Sequence, residues 1–70
     1  MRKKINKLTE RELEVLKHVI LGYSNKEIGE ILFVTSHTIK AHLTSIFKKL
    51  GVSNRTLAAI KAKEVILHQD

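Results

Sequence analysis

Two Ser/Thr-x-x-Glu segments lie only fifteen residues apart in this chain, at Thr9–Glu12 and Ser24–Glu27. In such a capping box the hydroxyl accepts a hydrogen bond from an amide of the first helical turn, and the glutamate accepts one from the amide of the capping residue. Each segment therefore predicts the start of a helix. The first is expected over about Glu10–Leu21, with Gly22 as its left-handed stop, and the second is short, ending at about Leu32. The N-terminal half must fold as short helices joined by a tight turn.

The C-terminal half carries helix signals of its own. Thr35 is a suitable cap for a third helix over about Ser36–Leu50, which the following glycine ends. Ser53 or Asn54 caps a fourth helix over about Arg55–Leu67. The linkers are two to four residues long, the chain has no proline, and no segment alternates like a strand. We therefore predict an all-α fold in which four helices pack around one core.

The length of the chain limits what it can do. Seventy residues are enough for one small domain, expected over residues 8–70 behind a flexible basic arm of residues 1–7. A domain of this size buries only about 60% of its surface, so we expect no enclosed catalytic cavity and no enzyme. The absence of cysteine excludes disulfides and thiolate chemistry. Because no apolar run has the length of a membrane span or a signal peptide, we expect a cytoplasmic protein.

Positive charge is concentrated in one part of the chain. The formal net charge is +6, yet residues 31–63 contain six Lys or Arg and no Asp or Glu. The segments on either side, 1–30 and 64–70, carry +2 and −2 and cancel each other. A stretch of this kind attracts polyanions, of which nucleic-acid backbones are the commonest inside a cell. The alternative interpretation is a solvated helix face from which acids are missing by chance.

The third helix has two distinct faces at 100° per residue. One is apolar and is predicted to be core: Ile39, Leu43, Ile46 and Leu50. The opposite face carries small or basic side chains, with Ser45 at its edge: His37, Lys40, Ala41, Thr44 and Lys48. Lysine can donate to guanine, alanine and threonine methyls can contact the thymine methyl, and short side chains let a helix approach base edges. A short helix, a tight turn and a longer helix with such a face form the helix-turn-helix arrangement.

The chain resembles the LuxR/GerE-type helix-turn-helix domain, which also forms the C-terminal domain of NarL-type response regulators. The resemblance covers about residues 8–62 and depends on fragments that are specific only in this order and spacing: Leu8-Thr9-Glu10-Arg11-Glu12, Val15-Leu16, Gly22-Tyr23-Ser24-Asn25-Lys26-Glu27-Ile28, Thr35-x-x-Thr38-Ile39-Lys40-x-His42, Lys49-Leu50-Gly51-Val52 and Arg55-x-x-Ala58. Gly29 stands where the family more often has alanine, and Ile39 where valine is usual.

The resemblance implies a cytoplasmic, nucleoid-associated transcription regulator that inserts its third helix into the major groove of double-stranded DNA. The base-facing set by family position is Lys40, Ala41 and Thr44, and the phosphate-contacting set is Ser24, Asn25, Lys26, Thr38 and Lys48. Some relatives carry a second basic reader where this chain has Thr44, so its base preference cannot be inferred from them. RNA polymerase is a further candidate partner, and no cofactor is implied.

The fourth helix is apolar on two sides, and one side can close the core while the other needs a cover. Leu57, Ile60 and Leu67 share one direction. We predict a homodimer through the other side, formed by Ala58, Ala62, Val65 and Ile66. This agrees with the resemblance, since the family's fourth helix often forms a two-fold contact. The alternative is a small exposed apolar patch, which is common in short domains.

Glu12, the histidines and Gly29 each carry a separate expectation. Glu12 lies among apolar neighbours and needs partners, for which we expect the capping box and a salt bridge to Arg55 rather than a catalytic role. The four histidines share no metal-ligand spacing, so we expect no metal site. Gly29 weakens a helix by about 1 kcal/mol relative to alanine, which predicts close approach of another helix unless the glycine is simply tolerated.

Two other classes of function remain open from the residues. A helix-turn-helix scaffold can also serve as a protein-interaction module, in which case the basic face would dock an acidic partner. Binding to a membrane surface fits the basic N-terminal arm, but the chain lacks a helix with aromatic anchors opposite a lysine-rich face.

Overall fold

A computed structural model of the chain describes residues 8–67, and the side chains of residues 8–64. It contains four helices: α1 (Glu10–Ile20), α2 (Asn25–Leu32), α3 (Ser36–Leu50) and α4 (Arg55–Leu67). The prediction of an all-α, four-helix fold is confirmed. The predicted arm, residues 1–7, lies outside the described residues. Within the described range no helix has the length and apolar character needed to cross a bilayer.

Both capping boxes are formed, and they explain where α1 and α2 begin. The amide of Glu12 donates to Thr9 Oγ1, and the amide of Thr9 donates to Glu12 Oε1, each at 3.0 Å. Ser24 and Glu27 repeat this exchange at 2.8 and 3.1 Å. Of the two candidate caps for α4, Asn54 is the one whose side-chain oxygen accepts the amide of Leu57. Local side-chain chemistry therefore sets the helix boundaries.

The turn between α2 and α3 is unusually tight. Phe33 ends α2 in the left-handed conformation, with φ of 62°. A Cβ placed on Gly29 would lie 2.6 Å from the carbonyl oxygen of Val34 and 3.3 Å from the amide nitrogen of Ser36. The close approach predicted at this glycine is therefore confirmed, although the neighbour is the turn and the first residue of α3. An alanine would require this turn to move away from α2.

The core lies between α3 and the other helices. α2 packs most extensively against α3, and α1 packs against both α3 and α4. The predicted inner face of α3 is confirmed as part of a single cluster of buried side chains: Val15, Leu16, Val19, Ile28, Ile39, Leu43, Ile46, Leu50, Ala58 and Ala62. The helical spacing of Ile28, Ile31 and Leu32 predicts that all three point inward from α2. Ile31 is exposed instead, because the short α2 buries only a narrow stripe along Ile28 and Leu32. With its inner face so covered, α3 has only its outer face in contact with solvent.

The two apolar sides of α4 have the opposite roles to those predicted. Ala58 and Ala62 are fully buried in the core, whereas Leu57 and Ile60 are 44% and 56% exposed. The assignment of Ala58 and Ala62 to a dimer interface is therefore wrong. Both side chains are buried in the contact of α4 with the rest of the domain, including α1, so they cannot also contact a second copy. The side chains of the other two predicted dimer residues, Val65 and Ile66, lie outside the described residues.

Candidate nucleic-acid interface

The outer face of α3 is a continuous exposed surface. Every predicted member of this face is exposed: His37, Lys40, Ala41, Thr44 and Lys48. α3 contains no acidic residue, and Thr38 provides the one first-turn amide that donates to the N-cap hydroxyl of Thr35, which leaves the other first-turn amides without an intrahelical partner. The exposed side chains Lys40, Ala41, Thr44 and Lys48 together form what we call the reading face.

The hydroxyl group of Thr44 is hydrogen-bonded within α3. Its hydroxyl donates to the backbone carbonyl of Lys40 at 3.1 Å. Its proton is therefore used inside the helix, while the methyl group and both lone pairs of the hydroxyl oxygen remain available. Ala41, three residues before Thr44, presents a second methyl group on the same face. The middle of the reading face is thus apolar, and Lys40 and Lys48 supply donors on it.

Ser45, predicted at the edge of this face, is half-buried there and contacts α1. Its hydroxyl donates to Glu12 Oε2 at 2.7 Å, and the ammonium of Lys49 donates to Glu12 Oε1 at 2.8 Å. Glu12 is 5% exposed. The salt bridge predicted between Glu12 and Arg55 is therefore wrong, because two residues of α3 already saturate the carboxylate. Sequence spacing cannot identify this pairing, since the partners are 33 and 37 residues apart.

The partners of Glu12 keep it charged despite its burial. Burial on its own raises the pKa of the Glu12 carboxyl. The ammonium of Lys49 and the hydrogen bonds from the Thr9 amide and the Ser45 hydroxyl outweigh this effect and lower the pKa from 4.5 to about 2. The ion pair neutralises Lys49, so this lysine adds little to the positive field of the reading face.

Arg55 contacts the start of α2 rather than α1. Its Nη1 donates to Asn25 Oδ1 at 2.6 Å, and its Nη2 donates to the backbone carbonyl of Tyr23. Sequence reasoning missed this contact. One signal in the sequence could have indicated it. Arg55 is a cation in the first turn of α4, where the helix dipole disfavours positive charge, so a hydrogen-bond acceptor from another part of the fold is expected beside it.

The residues predicted to contact phosphates differ in whether their side chains are already bonded within the protein. Lys26 and Lys48 are exposed, and neither forms an ion pair with any described residue. The Ser24 hydroxyl is used as a cap, and the Thr38 hydroxyl lies 3.0 Å from that of Thr35. Asn25 is half-buried against Arg55. The two lysines are thus the free cations of this set, and the other three residues lie at helix starts.

Comparison with known proteins shows which family the chain resembles. Residues 6–62 match the GerE family model, described as bacterial regulatory proteins of the luxR family. The chain is 56% identical over 55 residues to the transcriptional regulatory protein LiaR of Bacillus subtilis, covering 79% of this chain and 26% of LiaR. It is 43% identical over 61 residues to the transcriptional regulatory protein DegU of Brevibacillus brevis, covering 87% of this chain and 26% of DegU.

These relatives are much longer proteins, and the chain spans about a quarter of their length. The family model matches well over half of the present chain, through all four helix starts and the whole of α3. The resemblance inferred from the sequence motifs is therefore confirmed, and with it a regulatory helix-turn-helix domain rather than an enzyme. The chain belongs to the luxR family of bacterial regulatory proteins.

Proposed function

We propose that this chain is a sequence-specific double-stranded DNA-binding domain of a transcription regulator, with α3 in the major groove. The observation that carries the proposal is the reading face. It is exposed along the length of α3, it has no acid, and its two lysines form no ion pair with any described residue. The major groove of DNA is about 12 Å wide and admits an α-helix, and the short side chains of Ala41 and Thr44 let this one approach base edges.

Within this proposal Lys40, Ala41 and Thr44 read base edges. The ammonium of Lys40 donates to guanine O6 or N7, and the methyl groups of Ala41 and Thr44 contact a thymine methyl. Lys48, one turn beyond Thr44, neutralises a phosphate at the edge of the groove. The relatives named above are transcriptional regulatory proteins, which supports the same use of the face in this chain.

The start of α2 supplies the remaining phosphate contacts. Ser24, Asn25 and Lys26 surround the free amides at this helix terminus, where the helix dipole favours an anion. Thr38 lies in the first turn of α3, on the helix that packs closely against α2. Backbone contacts from two helix starts would fix the register of α3 in the groove.

We also propose that the chain binds DNA as a homodimer through the exposed side of α4. Leu57 and Ile60 line a shallow groove of about 470 Å³, together with Val52 and Lys61. They replace Ala58 and Ala62 as the apolar contact residues, because those alanines are buried in the monomer. Two copies would place half-sites about 10 bp apart or at a multiple of that spacing.

Two substitutions on the reading face test the proposal by fluorescence anisotropy, using a duplex selected by the protein and a scrambled one. Lys40→Ala should lose about 1–3 kcal/mol of discrimination between them. Lys48→Ala should weaken binding to both similarly and make the log–log salt dependence shallower by about 0.9 from a slope near −4.5, if about five phosphates are neutralised. Unchanged affinity and preference in Lys40→Ala would refute groove binding by α3.

A protein-interaction module with an acidic partner would use the same exposed lysines. Failure of the wild-type chain to bind mixed duplex at low salt would favour that function over DNA binding. Contact with RNA polymerase and association with the nucleoid follow from the DNA-binding proposal and stay predictions.

A further inference from the structure

Arg55, the first residue of α4, contacts Asn25, the first residue of α2. Its guanidinium donates to Asn25 Oδ1 at 2.6 Å and to the carbonyl of Tyr23. Arg55 and Asn25 are both half-buried. Because a guanidinium has donors only, the contact determines which end of the Asn25 amide faces Arg55.

The amide of Asn25 is consequently oriented with its nitrogen away from Arg55. Among the described residues none accepts a hydrogen bond from Asn25 Nδ2, so its two N–H donors are unused. They lie at the start of α2, where Lys26 is exposed and first-turn backbone amides are free. Side-chain amides and helix-terminal amides are both common donors to DNA phosphates.

We propose that Arg55 is a positioning residue for DNA binding, which holds the Asn25 amide so that Nδ2 donates to a backbone phosphate. This inference rests on the proposed function. Arg55 acts through Asn25 and needs no contact with DNA itself. Since Arg55 is the first residue of α4, the phosphate contact at α2 depends on how α4 is seated against the rest of the domain.

A double-mutant cycle on the 70-residue chain tests this coupling. Arg55→Lys keeps the positive charge but loses the planar two-pronged donor. Asn25→Ala should lower affinity for the selected duplex about five- to tenfold, and Arg55→Lys about threefold. In the double variant Arg55→Lys should cause no further loss, because the group that it orients is gone. Additive losses, or full affinity in either single variant when it is folded, would overturn the proposal.

A second pair of variants separates positioning from stability. Asn25→Asp keeps an oxygen for Arg55 but removes both N–H donors, so its melting temperature should be unchanged or higher while duplex affinity falls at least fivefold. Asn54→Asp is the matched control, since it makes the same charge change next to Arg55 and keeps the side-chain oxygen that caps Leu57. It should retain affinity within about twofold. If Asn25 had only a structural role, Asn25→Asp would keep full affinity for the duplex. Equal losses of affinity in the two Asp variants would mean that the added negative charge, and not the loss of the N–H donors, weakens binding. Either result would overturn the proposal.

The result can be read independently of the proposed function. Lys48→Ala, measured on the same duplex, reports whether the domain binds DNA through the reading face. If Lys48→Ala weakens binding and Asn25→Ala does not, the role assigned to Arg55 is wrong and groove binding stands. If neither variant changes affinity, the proposal that the duplex is bound through the reading face itself fails.

Discussion

At the scale of single residues, Glu12 determines how α3 is held against α1. It accepts hydrogen bonds from Ser45 and Lys49, two residues of α3, as well as from the amide of Thr9, the cap of α1. Lys48 and Lys49 are neighbours with different tasks, because the first is free at the surface and the second is paired inward. Counting charges along the sequence therefore overestimates the field available to DNA.

The charge of Glu12 should make folding pH-dependent. Its pKa is lowered from 4.5 to about 2 in the folded state, so the stabilisation is present above about pH 5 and is lost as pH falls towards 2. Because Lys49 is partly in water, we expect about 2 kcal/mol rather than the full linkage value. Glu12→Gln should remove this amount at pH 7 and flatten the acid dependence, measured by urea unfolding between pH 2 and 7.

Glu14→Gln is the control for that measurement. Glu14 pairs with Arg11 at 3.4 Å, and both side chains are about half exposed. Its replacement should change the free energy of unfolding by less than about 0.5 kcal/mol. Equal effects of the two substitutions would contradict a special role for Glu12.

The hydrogen bond of the Thr44 hydroxyl within α3 leads to a testable prediction about base readout. With its proton donated to the Lys40 carbonyl, the side chain offers a methyl group to the groove. Thr44→Val should therefore bind the selected duplex about as tightly as wild type, whereas replacing the contacted thymine by deoxyuridine should cost on the order of 1 kcal/mol for both proteins. Anisotropy titrations with singly substituted duplexes check this. A large loss in Thr44→Val would mean that the hydroxyl, not the methyl, reads the base.

At the scale of elements, the α2–turn–α3 unit is built for close approach at the cost of backbone strain. Gly29 admits the turn, and Phe33 adopts a left-handed conformation that costs about 1–2 kcal/mol for a residue with a side chain. Phe33 is 93% exposed and gains no packing in return. The turn is thus set by the geometry that α2 and α3 require.

Phe33→Gly should consequently stabilise the domain by about 0.5–1 kcal/mol, the relief of the left-handed backbone being partly offset by the extra chain entropy of glycine. Thermal or urea unfolding measures the change. Leu21→Gly is the matched control, because Leu21 is also an exposed helix cap but has an ordinary right-handed backbone. That substitution should be neutral or destabilising, and stabilisation by both would contradict the strain interpretation.

The sequence predicts local features of this fold far better than pairings between elements. The helix starts at Thr9 and Ser24 follow from hydroxyls and carboxylates three residues apart, which interact whatever the rest of the chain does. The partners of Glu12 and Arg55 depend on which helices meet, at separations of 30 residues or more, so they were predicted incorrectly. For α4 both sides are apolar, and the packing against α1 and α3 in the fold, not the sequence pattern, shows that the alanine side lies in the core.

At the scale of the whole molecule, α4 presents an apolar face that no other described residue covers. Leu57 and Ile60 on α4 line the shallow groove, within a domain whose core is otherwise closed. In a molecule that also carries a basic reading face, a contact between two copies would supply both the missing burial and the two-fold symmetry of a paired site.

Replacing both exposed residues, as Leu57→Gln and Ile60→Gln together, should remove this contact without disturbing the core. Sedimentation equilibrium should find wild type as a dimer on a duplex with two half-sites, and the double variant bound as independent monomers with about tenfold weaker overall affinity. Affinity for a single half-site serves as the control and should not change. Wild type that binds two half-sites only as independent monomers would contradict the α4 dimer.

The central claim, that the reading face of α3 reads duplex sequence, is tested most directly by selecting bound duplexes from a random library with wild type and Lys40→Ala in parallel. We predict that wild type enriches one defined motif and that Lys40→Ala, although folded, loses preference at one base pair of it. Enrichment of no motif by wild type, or of the same motif by both proteins, would contradict the claim.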